Sequence, residues 1–180
     1  MSEAALGIDE RAAALRLTFD RSFAEPRRLA TETVEDLLAI RIGAQAYALR
    51  LAEVAGLFAD RKITPVPASD AALIGIAGFR GAIVPVYGLH ALLGLPSGPR
   101  PCRWLVIAAA APVALAFETF DAQLSVPPDM VLPAQSANEA SGCLREFVRT
   151  SKFSGPVIHL PSVLDTIKSR RGQAVPIKEI

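Results

Sequence analysis

Cysteine is scarce in this 180-residue chain: Cys102 and Cys143 are the only two, far apart and in no CxxC pattern. That excludes a disulfide-dense scaffold, and leaves a single disulfide or a reactive thiol as the alternative to buried free thiols. The pair reads as small buried hydrophobes in or beside strands, in a reduced cytoplasm. Histidine is equally rare, with His90 and His159 alone. No cluster of His, Cys and carboxylates has metal-ligand spacing, so no metal or cofactor is expected. No serine or cysteine carries an elbow motif, so no catalytic residue is expected either. Gly75, Gly78 and Gly81 fall three apart in GIAGFRG. This is not GxGxxG and no helix follows, which argues against phosphate cradling.

Charge of one sign is lacking too. Nineteen basic and 18 acidic residues leave a formal +1, which gives no footprint for nucleic acid or anionic lipid. Long apolar runs are missing, although apolar residues make up 51% and the mean hydropathy is +0.34. Gly81–Pro99 is broken by Pro85 and Pro96, and the 14-residue run Trp104–Phe117 contains Pro112. Neither resembles the ~20 apolar residues of a spanning helix. The N-terminal MSEAALGIDERAAALRL has acids before any base and no apolar core, so no secretory signal is expected.

What is present is abundant short apolar segments. Ile8, Ala12, Leu15, Phe19 and Phe23 share one helical face, predicting an amphipathic helix over 8–24. Asp9 is its expected cap and Pro26 its stop, with a polar link to Thr33. Its apolar stripe is expected to dock on the body, the alternative being to bind another protein. The period then changes. LLAIRIGAQAYALRL alternates as strand, Gly43-Ala44 turn and strand. RLAEVAGLF fits either a strand or a helical turn, and KITPVPASD is extended by its prolines. ALIGIAGFRGAIVPVYGL predicts a hairpin with Phe79-Arg80-Gly81 at the bend. RWLVIA, VALAFETF, AQLSVPPDMVLP, CLREFVRT and GPVIHL supply further strands, His159 lying in the last. A short helix closes the chain, its IKSRR end facing solvent. Short strands broken every eight to twelve residues predict small antiparallel barrels or a sandwich. Pro65, Pro67 and Pro85 belong at edges or bulges, since proline cannot donate to a ladder.

Arg80 is the residue that composition leaves unexplained. Gly78 and Gly81 tighten the bend and thrust the arginine outward, and Phe79 adds an aromatic where a polar residue is expected. Arginine beside an exposed aromatic is the chemistry of a binding surface.

The stretch ITPVP…ALIGIAGFRGAIVPVYGLHALLGLP resembles the signature of the CheW family of chemotaxis coupling proteins. Glu53-Val54 and the strand pairs on either side extend the resemblance over about residues 37 to 167. It implies a mainly β fold of two small five-stranded SH3-like β-barrels packed on a shared apolar core, within a CheW-like domain over 34–168. Barrel 1 would span about 37–98 and barrel 2 about 102–168, with an N-terminal segment 1–33 and a tail 169–180. It also implies a non-catalytic cytoplasmic adaptor. Its partners would be the regulatory domain of a CheA-like histidine kinase and the cytoplasmic tip of a methyl-accepting chemoreceptor. Glu53, Gly75 and Arg80 match positions at the receptor-facing groove, which Phe79 and Gly81 would shape. Three departures stand out: Gly78-Phe79 replaces Asn-Leu, Gly88 replaces an aspartate ahead of the short helix, and Glu146 stands where glycine is usual. They admit a divergent member that has lost receptor coupling and regulates a kinase or another array protein. A hydrolase using either histidine and a nucleic-acid-binding barrel are the rival classes.

Overall fold

The computed structural model describes residues 34–134 and 142–172. The expected helix 8–24, most of the polar loop 133–142 and residues 173–180 lie outside them. The described body carries β1 (Glu35–Ile42), β2 (Gln45–Arg50), β3 (Val54–Ala59), β4 (Leu73–Phe79), β5 (Ala82–Gly88) and the one-turn helix α1 (Leu89–Leu92). It continues through β6 (Trp104–Ala108), β7 (Ala114–Phe117), β8 (Thr119–Val126), β9 (Val131–Pro133), β10 (Leu144–Arg149), β11 (Ser154–Ile158) and α2 (Leu160–Gly172). The mainly β expectation and the closing helix hold. The ambiguous RLAEVAGLF is both things at once, a 3-10 turn at Leu51–Glu53 and then β3.

Strand membership departs from expectation. One sheet has six strands in the order β8-β1-β2-β11-β10-β9, and the other has five, β3-β6-β7-β5-β4. The sixth strand is β9, three residues added at the β10 edge. Nor does the chain divide near residue 100 into two consecutive barrels. The β1–β2 hairpin pairs with β8 and β11 of the far half, antiparallel and parallel respectively. The chain leaves the first sheet through Leu51–Glu53, builds the whole second sheet, and returns through Glu118 between β7 and β8.

Alternation explains why the two sheets hold together. Leu37 and Ala39 face a core inside the first sheet with Ala48, Val148 and Val157. Their neighbours Leu38, Ile40 and Ile42 face the opposite way, into the shared core. The second sheet repeats the pattern: Val86, Leu105 and Ala116 line its own core, while Tyr87, Val106 and Phe117 join the shared one. A strand apolar on both faces must be covered on both. Helix α2 completes the shared core with Leu160, Val163, Leu164 and Ile167 on a single face.

Two smaller expectations change. Pro85 lies in an internal strand, not at an edge. Its pairing with β4 is opposite Ile76, and the ladder to β7 begins only at Val86, so no bond is lost for want of its N–H. The IKSRR end is not merely solvated: α2 runs to Gly172, past the expected boundary at 168, and Arg171 donates to the Tyr87 hydroxyl at 2.9 Å.

Candidate docking hairpin

The β4–β5 hairpin is closed by two residues, Arg80 and Gly81, between the partners Phe79 and Ala82. Both turn residues have positive φ, 48° and 83°. A two-residue hairpin loop favours this mirror-image turn because its twist matches that of the strands. Glycine adopts it freely; for arginine the left-handed region costs about 1–2 kcal/mol. Arg80 is exposed at the tip, and among the described residues no ion pair holds it.

Phe79 corrects the expectation of an exposed aromatic. It is 5% exposed and packs in the core of the second sheet with Val84 and Val86. Its ring lies 4.9 Å from that of Phe58, tilted by 58°. The guanidinium of Arg61 covers both rings, at 5.1 Å from Phe58 and 5.8 Å from Phe79. Such a contact favours this position for an exposed arginine by about 0.5–1 kcal/mol.

Gly75 is buried where the chain leading into β4 crosses closest. A Cβ there would collide with the Thr64 carbonyl, at the point where Thr64 and Ile76 exchange backbone bonds of 2.8 and 2.9 Å. Glycine is required by that approach whatever else the position does.

Glu53 is placed elsewhere. Its Oε2 accepts the Leu160 N–H at 2.9 Å, at the first turn of α2. Its own carbonyl accepts from the Ala109 N–H at 2.9 Å. The structure therefore gathers Gly75, Phe79, Arg80 and Gly81 on one hairpin, while Glu53 is engaged with the helix. Sequence reasoning missed the counterpart of Glu53, the acid at the return crossover. Glu118 is the one buried charged side chain among the described residues. Its carboxylate accepts the Gly43 N–H and, at 3.1 Å, the Gly98 N–H. A lone acid between two apolar strands, in ALAFETF, was the available signal.

Among the departures from the family pattern, Glu146 has a local reason. Glu146 pairs with Arg50, which also meets Glu35 at 3.2 Å. Burial lowers the Arg50 pKa, but Glu146 and then Glu35 outweigh it and hold it above the ordinary arginine value. Gly88 precedes α1 in extended backbone with no side-chain cap. His159 falls just beyond β11, not within it, and its Nδ1 lies 2.9 Å from the Ser162 hydroxyl, within α2. Burial pushes both thiols up, with the Glu118 charge adding to the effect at Cys102. Raised thiols are poor nucleophiles at neutral pH.

These features define a β scaffold of two sheets with a cationic hairpin tip presented outward. Residues 36–176 match the CheW-like domain, and the chain belongs to that family. Over 74 residues it is 31% identical to a Rhizobium etli protein titled "Probable chemotaxis protein CheW" and 28% identical to the "Chemotaxis protein CheW" of Rhizobium meliloti. Each stretch is 41% of this chain and 48% of the relative, so the chain spans about half the length of the curated relatives it matches. The crystal structure of scaffolding protein TtCheW from Thermoanaerobacter tengcongensis is similar with a TM-score of 0.63 at 16% identity. That likeness, one of fold, covers 69% of this chain and 88% of the other. Among the described residues no helix is long and apolar enough to cross a membrane.

Proposed function

We propose that this protein is a cytoplasmic adaptor that links the regulatory domain of a CheA-type histidine kinase to the cytoplasmic tip of a methyl-accepting chemoreceptor. It reads neither nucleic acid nor membrane, and catalysis belongs to the kinase. The observation that carries the receptor half is Arg80: a solvent-exposed arginine on left-handed backbone, with no ion pair among the described residues. A strained position occupied by a residue the fold does not use points to a use outside the fold. Gly81 supplies the second left-handed position that keeps the tip tight. Gly75 and Phe79 act beneath it, one by admitting the crossing segment and the other by anchoring the hairpin in the core. Glu53 belongs to this reading through its place at the crossover beside α2.

The test is capture by receptor-tip fragments. Arg80→Ala is expected to leave the melting temperature unchanged and to weaken capture severalfold, the effect of a hot spot of about 1–2 kcal/mol. Undiminished capture removes Arg80 from the site.

A second reading rests on Gly78. Where the family carries asparagine, this chain has open space within 4 Å of the glycine. A receptor groove lacking that amide suits a member that has given up receptor coupling and regulates a kinase or another array protein of a motility pathway. Separate capture by kinase and by receptor discriminates: binding to the kinase alone supports this second reading.

A further inference from the structure

The outer edge of β4 is open beyond a single bridge. Thr64 and Ile76 exchange both backbone bonds there, which fixes Ile76 as a residue whose N–H and C=O point away from β5. Alternation then points those of Gly78 the same way. Continued pairing would bring Lys62 opposite Gly78, but the chain diverges and the ladder stops. A notch of about 380 Å³ remains, lined by Arg61, Lys62, Thr64, Ile76, Gly78 and Ile83.

Its chemistry is one-sided. No acid lines it. The nearest acid in sequence, Asp60, is held by Arg103 through bonds of 2.8 and 2.7 Å. Arg61 lies over Phe58 and Phe79, and Lys62 is exposed with no ion pair among the described residues. Ile83, directly across from Gly78, is 74% exposed, the most exposed large apolar residue of the described body. Two cations, an outward strand N–H, a missing side chain and an adjacent aliphatic surface form one concave feature.

We propose that this notch is a carboxylate-binding slot that takes an aspartate or glutamate, flanked by an aliphatic residue, from the surface of a partner protein. The Gly78 N–H donates to the carboxylate, Arg61 and Lys62 supply charge, and Ile83 covers the neighbouring aliphatic group. Charge-assisted bonds to an anion are the strong ones. Phosphate recognition would call for more cations than the two present and gains nothing from Ile83. The slot is independent of the role proposed for Arg80, whose side chain does not line it.

The experiment uses the isotope-labelled full chain and follows the Gly78 amide resonance by NMR. The probes are an acetylated, amidated Val-Asp-Ile-Ala peptide, its Val-Asn-Ile-Ala counterpart and inorganic phosphate. The aspartate peptide is expected to shift Gly78 saturably, and the asparagine peptide to bind about fivefold or more weakly, as befits a lost charged partner. Lys62→Glu, at an exposed position, should abolish the shift, with Arg61→Ala weakening it; Arg80→Ala should leave it intact. Equal shifts from the two peptides, no shift at Gly78, or tighter saturation by phosphate would each overturn the slot. Loss of receptor capture in Arg80→Ala with an unchanged peptide shift separates the two proposals.

Discussion

Glu118 lies between β7 and β8 with its carboxylate closed over two backbone N–H groups, while Glu53 holds one at the first turn of α2. Both acids stand where the chain changes sheet, so each fastens a crossover to an element far away in sequence. The consequences differ in size. Glu118→Ala leaves two part-buried donors unpaired and should cost about 2–4 kcal/mol. Glu53→Ala removes a single helix-end acceptor and should cost about 1 kcal/mol. Urea denaturation checks both, and an unchanged midpoint for Glu118→Ala would contradict the clamp. A receptor defect in a Glu53 variant therefore counts toward docking only after its stability loss has been subtracted; Arg80→Ala carries no such burden. At this scale the sequence located the bend at Arg80, because nearby glycines and alternating strands mark it. Phe79 was misread although a signal existed. Counting inward from Val84 and Val86 through a two-residue turn puts Ala77 and Phe79 on the core face. Glu118 went unnoticed because its two partners lie 75 and 20 positions away.

Among the elements, the β4–β5 hairpin carries most of the proposed function, and its shape depends on Gly75. The segment through Thr64 runs so close that only a hydrogen fits. Gly75→Ala must push that segment aside, at about 1–3 kcal/mol for an overpacked site. For a chain of this size that is a fall in melting temperature of roughly 2–4 °C per kcal/mol. The same displacement reshapes the Gly78 notch, so weakened docking in this variant would follow from the backbone and not from a direct contact. Melting unchanged from wild type would contradict the tight crossing. The hairpins were legible from turn chemistry: Gly43, with φ of 62°, opens the β1–β2 turn as the sequence suggests. The glycine spacing in GIAGFRG has a tertiary cause, a neighbouring chain at Gly75 and an open edge at Gly78, which no local pattern shows.

At the scale of the molecule, two sheets share one core, and α2 ties them at both ends. Glu53 meets its first turn, while Arg170 reaches Asp70 at 3.4 Å and Arg171 the Tyr87 hydroxyl. Trp104 of β6 and Phe120 of β8 add an aromatic contact between the sheets, their rings 5.3 Å apart. The rhythm of short strands could be read from alternation and breakers, though not the extra edge strand β9. Their allotment to sheets could not, because the β1–β8 and β2–β11 pairings join halves of the chain that no local pattern relates. The hairpin itself is anchored in the second sheet's own core through Phe79, Val84 and Val86. The decisive measurement is kinase autophosphorylation in a reconstituted mixture of cognate CheA-type kinase and receptor-bearing membranes, with and without this protein. The expected result is receptor control of the kinase only when the protein is present, lost with Arg80→Ala while the variant still co-purifies with the kinase. Receptor control that persists undiminished when the protein is left out would contradict the adaptor role.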